Sequence, residues 1–382
     1  MVLPQIHTND AFHYHWMVWK LTGIKAPNGF PQLPYTIYAI SINLFVTILF
    51  PLTLIMNLFY TDGLQEVCEN LTITITDTIA NLKFLNVFFV RSKLLSIKDI
   101  VDKLDIRAQN EPGQRKVLQQ SVQTARATFK MFWGLYSFGT FLSLCKIAIA
   151  NDRSLLYPAW FPLDWRNSMG QYTIVLGYQL FGLIVQAIQD VANDSYPAAY
   201  LCILTGHLRA LGLRVRKIGK NSNNLEANYS KLIACIKDHQ IILELHVIIQ
   251  GIISTACLAQ FICSGLVQCT VGIYVLFIMG KNEISALILS GIFFLAVTLE
   301  SFLICYFGHN LKQESEDLTN AIYDCNWTNQ LPKFKRTLVF FMMRTHRHNV
   351  ILAGNYIPVD FPTFLLIMKY SYSVFTLLVR LK

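Results

Sequence analysis

Charge is what this 382-residue sequence has least of: Asp, Glu, Lys and Arg together make up 14% of it, against about 25% in an ordinary soluble domain. With 53% hydrophobic residues and a positive mean hydropathy, that shortage excludes a soluble globular protein and leaves an integral membrane protein. No Walker loop, dinucleotide fingerprint, nucleophile elbow or HExxH motif is present. Nucleotide-driven and hydrolytic enzymes are therefore discounted, and no cofactor is expected. The nine cysteines fit neither a zinc spacing nor an even disulfide framework. Most lie in apolar stretches, where a thiol is a small buried hydrophobe. Cys257, Cys263 and Cys269 recur every six residues, which scatters them around a helix, so no metal is expected either. The first thirty-four residues lack an apolar run followed by a small-residue cleavage site, and no secretory signal peptide is expected. A net charge of +9 would point a soluble chain towards nucleic acid; here its distribution matters more than its total, and nucleic acid is not an expected partner.

What is present is a series of long apolar runs. Span one comes from the charge-free run Ala26 to Tyr60, with its helix expected from Tyr35, after Pro31 and Pro34. Span two, Cys68 to Val90, contains Asp77 and Lys83. A strongly basic stretch, Arg91 to Lys130, follows, with Glu111-Pro112-Gly113 as its turn. Span three, Met131 to Ala150, contains Lys146. The aromatic loop Pro158-Ala159-Trp160-Phe161-Pro162-Leu163-Asp164-Trp165 is too proline-broken for helix and too apolar for a solvated linker, so it is expected to fold back as a cap on the bundle. Span four starts near Tyr172, and its pattern runs on towards Leu213, beyond membrane depth. Span five is Val247 to Gly280 and span six Ile284 to Gly308, with Glu300 inside. Asn310 to Pro332 is polar, and Leu338 to Leu352 reads as an amphipathic helix docked outside the bilayer.

The last span organises the rest. Phe361 to Leu381 is twenty-one residues, about 31 Å as a helix, the thickness of a bilayer's hydrocarbon core. Leu366, Tyr370, Ser373, Leu377 and Leu381 fall on one side at steps of three and four, with Lys369 and Arg380 along one edge. Charges at such depth face a bundle interior or an aqueous path unless they snorkel. The striped face is accordingly expected to line a pore shared between subunits.

Short cytoplasmic loops carry the excess of Lys and Arg. With the N-terminus inside, 24 such residues fall on the inner side, 5 on the outer side and 3 within spans. The expected fold is all-α, with seven transmembrane helices, a cytoplasmic N-terminus and an extracellular C-terminus. The sequon Asn70-Leu71-Thr72 falls at the outer end of span two and is an expected glycosylation site that agrees with this orientation. Asp77 is expected to pair with Lys146 across spans two and three, because a lone buried carboxylate would protonate; a basic ligand is the alternative.

The chain length, the inverted seven-span layout, the Trp-containing loop before Tyr178-Gln179 and the final helix ending Tyr372-Ser373-Val374-Phe375-Thr376-Leu377-Leu378-Val379-Arg380-Leu381-Lys382 together resemble the insect odorant receptors over essentially the whole sequence. The resemblance implies a tetramer around a central pore made by the last helices. It divides the chain into a cytoplasmic N-terminal segment (1–34), spans one to six with an odorant-binding outer half (35–308), a cytoplasmic anchor (309–355) and the pore-lining seventh span (356–382). The compact segment between spans four and five implies an odorant-tuned subunit that works with the shared coreceptor in a heterotetramer within the lipid membrane. Tyr370, Ser373, Leu377, Arg380 and Leu381 would line the pore, Leu377 and Leu381 matching its hydrophobic gate, while Arg380 replaces a residue that is usually glutamine in the coreceptor. A small volatile ligand would sit among Ile73, Thr76 and Asp77 of span two and Ser137, Thr140, Phe141 and Leu144 of span three. Tyr178 and Phe181 of span four and Ser290, Phe293 and Phe294 of span six would complete that pocket. Two rival readings are a gustatory receptor of the same superfamily and a secondary transporter using Asp77, Lys83, Lys146 and Glu300. The absence of an internal repeat weighs against the transporter.

Overall fold

The computed structural model describes residues 7–109, 111–149, 153–220, 224–279 and 284–380. Nearly all of it is helix. A 3-10 turn (Thr8–Phe12) leads into α1 (His13–Leu21). Next come α2 (Gln32–Asn43), a π-helical segment (Leu44–Leu49) and α3 (Phe50–Leu58), which run on as one rod. This rod begins three residues before the expected Tyr35, because Pro31 caps it and Pro34 sits in its first turn, where a missing N–H costs nothing.

The next four helices are far longer than a bilayer requires. α4 (Leu64–Ala108) has 45 residues, α5 (Pro112–Ile149) 38, α6 (Met169–Arg216) 48 and α7 (Leu225–Ile278) 54; even α5 would extend about 57 Å. α8 (Ile284–Tyr323) has 40. The basic stretch after span two is therefore no loop. Leu94, Ile97, Ile100, Val101 and Leu104 recur at steps of three and four and are all buried, so α4 carries an apolar stripe through the charged region and stays helical. The same logic takes α8 through the polar stretch after Gly308, with Leu311, Leu318, Ala321 and Ile322 buried. The polar helical extensions build a second core beyond the apolar spans, into which the N-terminal segment is packed: Trp19 is fully enclosed and Phe12 stacks on Tyr200 at 4.1 Å between ring centroids.

The amphipathic helix after span six is α9 (Pro332–Thr345), earlier than the expected Leu338 to Leu352. The residues that follow it form a small hairpin instead, β1 (Leu352–Ala353) antiparallel to β2 (Ile357–Pro358). Its turn holds Gly354 at φ +59° and Asn355 at φ +65°, the left-handed pair that tight hairpins favour. Ser254 of α7 fastens this hairpin, its hydroxyl donating to the Leu352 carbonyl at 2.9 Å and accepting from the Asn355 N–H at 3.1 Å. Asp360 then caps α10 (Phe361–Arg380), accepting from the Thr363 N–H at 3.2 Å.

Among the described residues, five helical stretches are long and apolar enough to cross a membrane: Gln32–Leu58, Leu64–Ala108, Met169–Arg216, Leu225–Ile278 and Ala286–Tyr323. Pro112–Ile149 and Phe361–Arg380, which contain the expected span three and most of the expected span seven, are helical as well.

Candidate functional site

The aromatic loop closes one end of the bundle as expected. The Trp160 N–H donates to the Thr53 carbonyl at 3.0 Å, and the Trp160 ring stacks on Tyr60. Gln179 of α6 holds the loop from below: its Oε1 accepts from the Leu156 N–H and its Nε2 donates to the Tyr157 carbonyl, both at 3.0 Å. Beneath lies an apolar cluster of Phe50, Leu54 and Ala159, flanked by Ile73, Tyr157, Phe161 and Tyr178. The Tyr178 hydroxyl donates to the Phe45 carbonyl at 2.7 Å, a carbonyl within the π-helical segment.

The twelve expected ligand contacts do not form one group. Ile73 and Tyr178 meet in the cluster under the loop. Phe293 and Phe294 belong to a different cluster, with Ile75, Ile79, Cys263, Val267, Val271, Val275 and Val297, and Ser290 is buried. Thr76 and Thr140 turn back onto their own helices, donating to the Thr72 and Tyr136 carbonyls. Ser137, Phe141, Leu144 and Phe181 are exposed. Asp77 accepts from the Gln186 amide of α6 and, at 3.3 Å, from Asn81. The Lys146 side chain, its expected partner, lies outside what is described. Sequence reading missed Gln186, whose only signal was an amide on an otherwise apolar span.

Asn70 corrects an expectation. It is fully buried on the second turn of α4, its Oδ1 accepting from Thr74 at 2.9 Å, so this packing has no room for a glycan there. The sequon therefore lends the orientation no support.

Deeper in the bundle Lys83 and Glu300 join one network. Lys83 Nζ donates to Asp194 of α6 and to Gln260 Oε1 of α7 at 2.8 Å. Gln260 Nε2 donates to Glu300 Oε2 of α8 at 2.7 Å, and the Tyr136 hydroxyl of α5 lies between Asp194 and Glu300 Oε1. Five helices thus meet on buried polar atoms. Asp194 and Tyr136 were not singled out from sequence, because span four reads as apolar only to Gln189 and tyrosine is common at membrane boundaries.

α10 has two unlike faces. Phe364 packs on Phe302 of α8. Ser371 donates to the Gly265 carbonyl of α7 at 3.4 Å, and Phe375 lies so close to Gly272 that an added Cβ would meet its ring at 2.8 Å. Small residues let helices approach in lipid, as here. The opposite face, Leu366, Tyr370, Ser373 and Leu377, is exposed, as are Lys369 and Arg380; Leu381 lies outside the described residues.

Residues 63–372 match the family model described as 7tm Odorant receptor. Odorant receptor 2a of Drosophila melanogaster is 49% identical, covering 99% of this chain and 98% of its own. Odorant receptor 33b of the same species is 30% identical over the same shares. The fold is that of the insect olfactory receptor OR5 from Machilis hrabei, with TM-score 0.82 at 14% identity, covering 98% of this chain and 99% of that one; the same receptor in complex with eugenol gives 0.80. With a family model spanning most of its length and a relative matched end to end, the chain is a multi-pass membrane protein that belongs to the insect odorant receptor family.

Proposed function

We propose that this chain is an odorant-tuned subunit that binds a small volatile molecule among its helices near the aromatic loop and, with a coreceptor in a heterotetramer, opens a cation path lined by α10. The observation that carries this reading is the two-faced α10. Membrane length, tight packing on α7 and an unpartnered stripe of Leu366, Tyr370, Ser373 and Leu377 together make a wall suited to meeting copies of itself. Leucines on such a wall narrow the path and dewet it, and dilation admits water. In this reading the chain crosses seven times, counting Pro112–Ile149 and Phe361–Arg380, so its termini lie on opposite sides, and the distribution of Lys and Arg supports a cytoplasmic N-terminus and an outer C-terminus.

For the ligand, the apolar cluster of Phe50, Leu54, Ile73, Tyr157, Phe161 and Tyr178, beside the Asp77–Gln186 pair, offers dispersion contacts and a few hydrogen bonds. That is the chemistry that holds small volatiles. The eugenol complex of the Machilis receptor supports small volatiles as the ligand class. Ligand drives opening only through its difference in affinity between closed and open states. Voltage-clamp recording of this chain expressed with and without a coreceptor, across a panel of volatiles, tests the reading. Currents evoked only with the coreceptor are expected, with Leu377→Ser raising the current before ligand is added. Stoichiometric uptake without current would replace the channel by a transporter, and unchanged resting current and selectivity in Leu377→Ser would remove α10 from the pore wall.

A further inference from the structure

The hydrogen inventory of the central network fixes a proton that the residue names do not reveal. Tyr136 has one hydroxyl hydrogen, yet its oxygen lies within hydrogen-bond distance of two carboxylates, Asp194 Oδ2 and Glu300 Oε1, the latter at 2.9 Å. A tyrosine hydroxyl donates once and otherwise accepts, whereas an ionised carboxylate only accepts. One of the two acids must therefore carry a hydrogen of its own to satisfy both contacts. Lys83 decides which. Its ammonium, enclosed with a 6% exposed side chain, donates to Asp194 Oδ1 and to Gln260 Oε1, and a buried cation needs an ionised partner. Asp194 is thus the carboxylate.

We infer that Glu300 is held as a neutral carboxylic acid, donating through Oε1 to Tyr136, which donates in turn to Asp194. The rest of the network agrees with this assignment. Gln260 accepts from Lys83 on its oxygen, so its nitrogen is the end that faces Glu300, and it donates to Oε2. Oε2 is then an acceptor, which leaves Oε1 as the atom that bears the hydrogen. With that proton the hydroxyl, acid and amide hydrogens of Tyr136, Glu300 and Gln260 each meet an acceptor, Lys83 donates to Asp194 and Gln260, and the charges of Lys83 and Asp194 cancel. Were Glu300 ionised as well, one lysine would face two carboxylates in a low-dielectric interior, and the Tyr136 oxygen would face Glu300 with no hydrogen between them. Among the described residues the groups around Glu300 include Lys83 on α4, Tyr136 on α5, Asp194 and Asp190 on α6, Gln260, Cys263 and Ser264 on α7, and Ser301 on α8. Lys83 is the one cation among them. The proton site ties α5, α6 and α8 without adding a second carboxylate charge beside the Lys83–Asp194 pair.

The test is an asymmetry between two isosteric changes, read as receptor density at the cell surface and as the infrared spectrum of the purified protein, so that it does not depend on any channel activity. Gln at position 300 reproduces the acid's pattern, its amide nitrogen donating to Tyr136 and its oxygen accepting from Gln260. Glu300→Gln is expected to keep surface density within about twofold of the parent and to remove one carboxylic-acid carbonyl band. Asp194→Asn strands Lys83 and is expected to lower surface density about tenfold or more. If Asp194→Asn is tolerated and Glu300→Gln is not, the proton belongs to Asp194 and the assignment is overturned. Equal loss in both, no loss in either, or an unchanged acid band in Glu300→Gln overturns it as well.

Discussion

Replacing Gly308 by alanine puts a single methyl group where the joint between the hairpin and α10 leaves none. A Cβ built there lies 2.1 Å from the Val359 carbonyl oxygen and 3.1 Å from its carbon, whereas ordinary contact begins near 3.4 Å. Neither side yields easily. Gly308 is inside α8, and Val359 is buried with its N–H bonded to the Ile351 carbonyl at 2.9 Å, so about 1.3 Å of separation must come from backbone. Overpacking of this kind costs about 1 to 3 kcal/mol, and two rigid partners put it at the upper end. The gain in helix propensity from glycine to alanine returns about 1 kcal/mol. The net is a loss of about 2 kcal/mol, roughly thirtyfold in the folded-to-unfolded ratio, displacing the segment one residue before the Asp360 cap of α10. The control is Gly177→Ala on α6, where a Cβ meets nothing within 4 Å and only the propensity gain remains. Thermal unfolding of the purified receptor, alongside surface density in cells, measures both. Equal stability of the two variants would refute the argument that the joint is packed backbone against backbone.

Two further outcomes follow from the polar helical extensions. Burial raises the Asp105 carboxyl to about 6, opposed by the Thr8 N–H at 2.7 Å and hydroxyl, while burial lowers the neighbouring His207 to about 4. Between about pH 4 and 6 the folded Asp105 holds a proton that the unfolded chain has released, so stability contributed by this residue falls as pH rises, by up to about 3 kcal/mol. The buried His207 contributes with the opposite sign in both proteins, so over that range the melting temperature of Asp105→Asn should rise relative to that of the parent, and parallel curves would rule the residue out. Asp238, buried on α7, takes charge-assisted hydrogen bonds from Arg107 and Arg214. Because both arginines are partly exposed, Asp238→Ala should cost about 2 kcal/mol, below the usual figure for a broken buried pair, seen as a lower melting temperature; no change would mean that water screens the cluster.

The apolar spans, their order and the stripe on α10 were legible in the sequence because each is a local matter. Twenty apolar residues have few alternatives in lipid to a helix, and steps of three and four put Leu366, Tyr370, Ser373 and Leu377 on one face whatever surrounds them. The family resemblance too rested on contiguous stretches. Helix ends were less legible: α4 and α8 run through charged segments because of buried stripes, and the hairpin at Leu352–Pro358 depends on Gly354-Asn355 and on a serine of α7 nearly a hundred residues away. Tertiary structure alone decided which polar groups meet. Asp77 finds Gln186, Lys83 finds Asp194 and Gln260, Asn70 turns inward, and of the twelve expected ligand contacts Ile73 and Tyr178 fall in one cluster, Phe293 and Phe294 in another, and the rest in neither. A buried polar atom takes whichever partner helix packing brings within about 3 Å, and that choice is made between helices, where the order of residues along a single one carries no information.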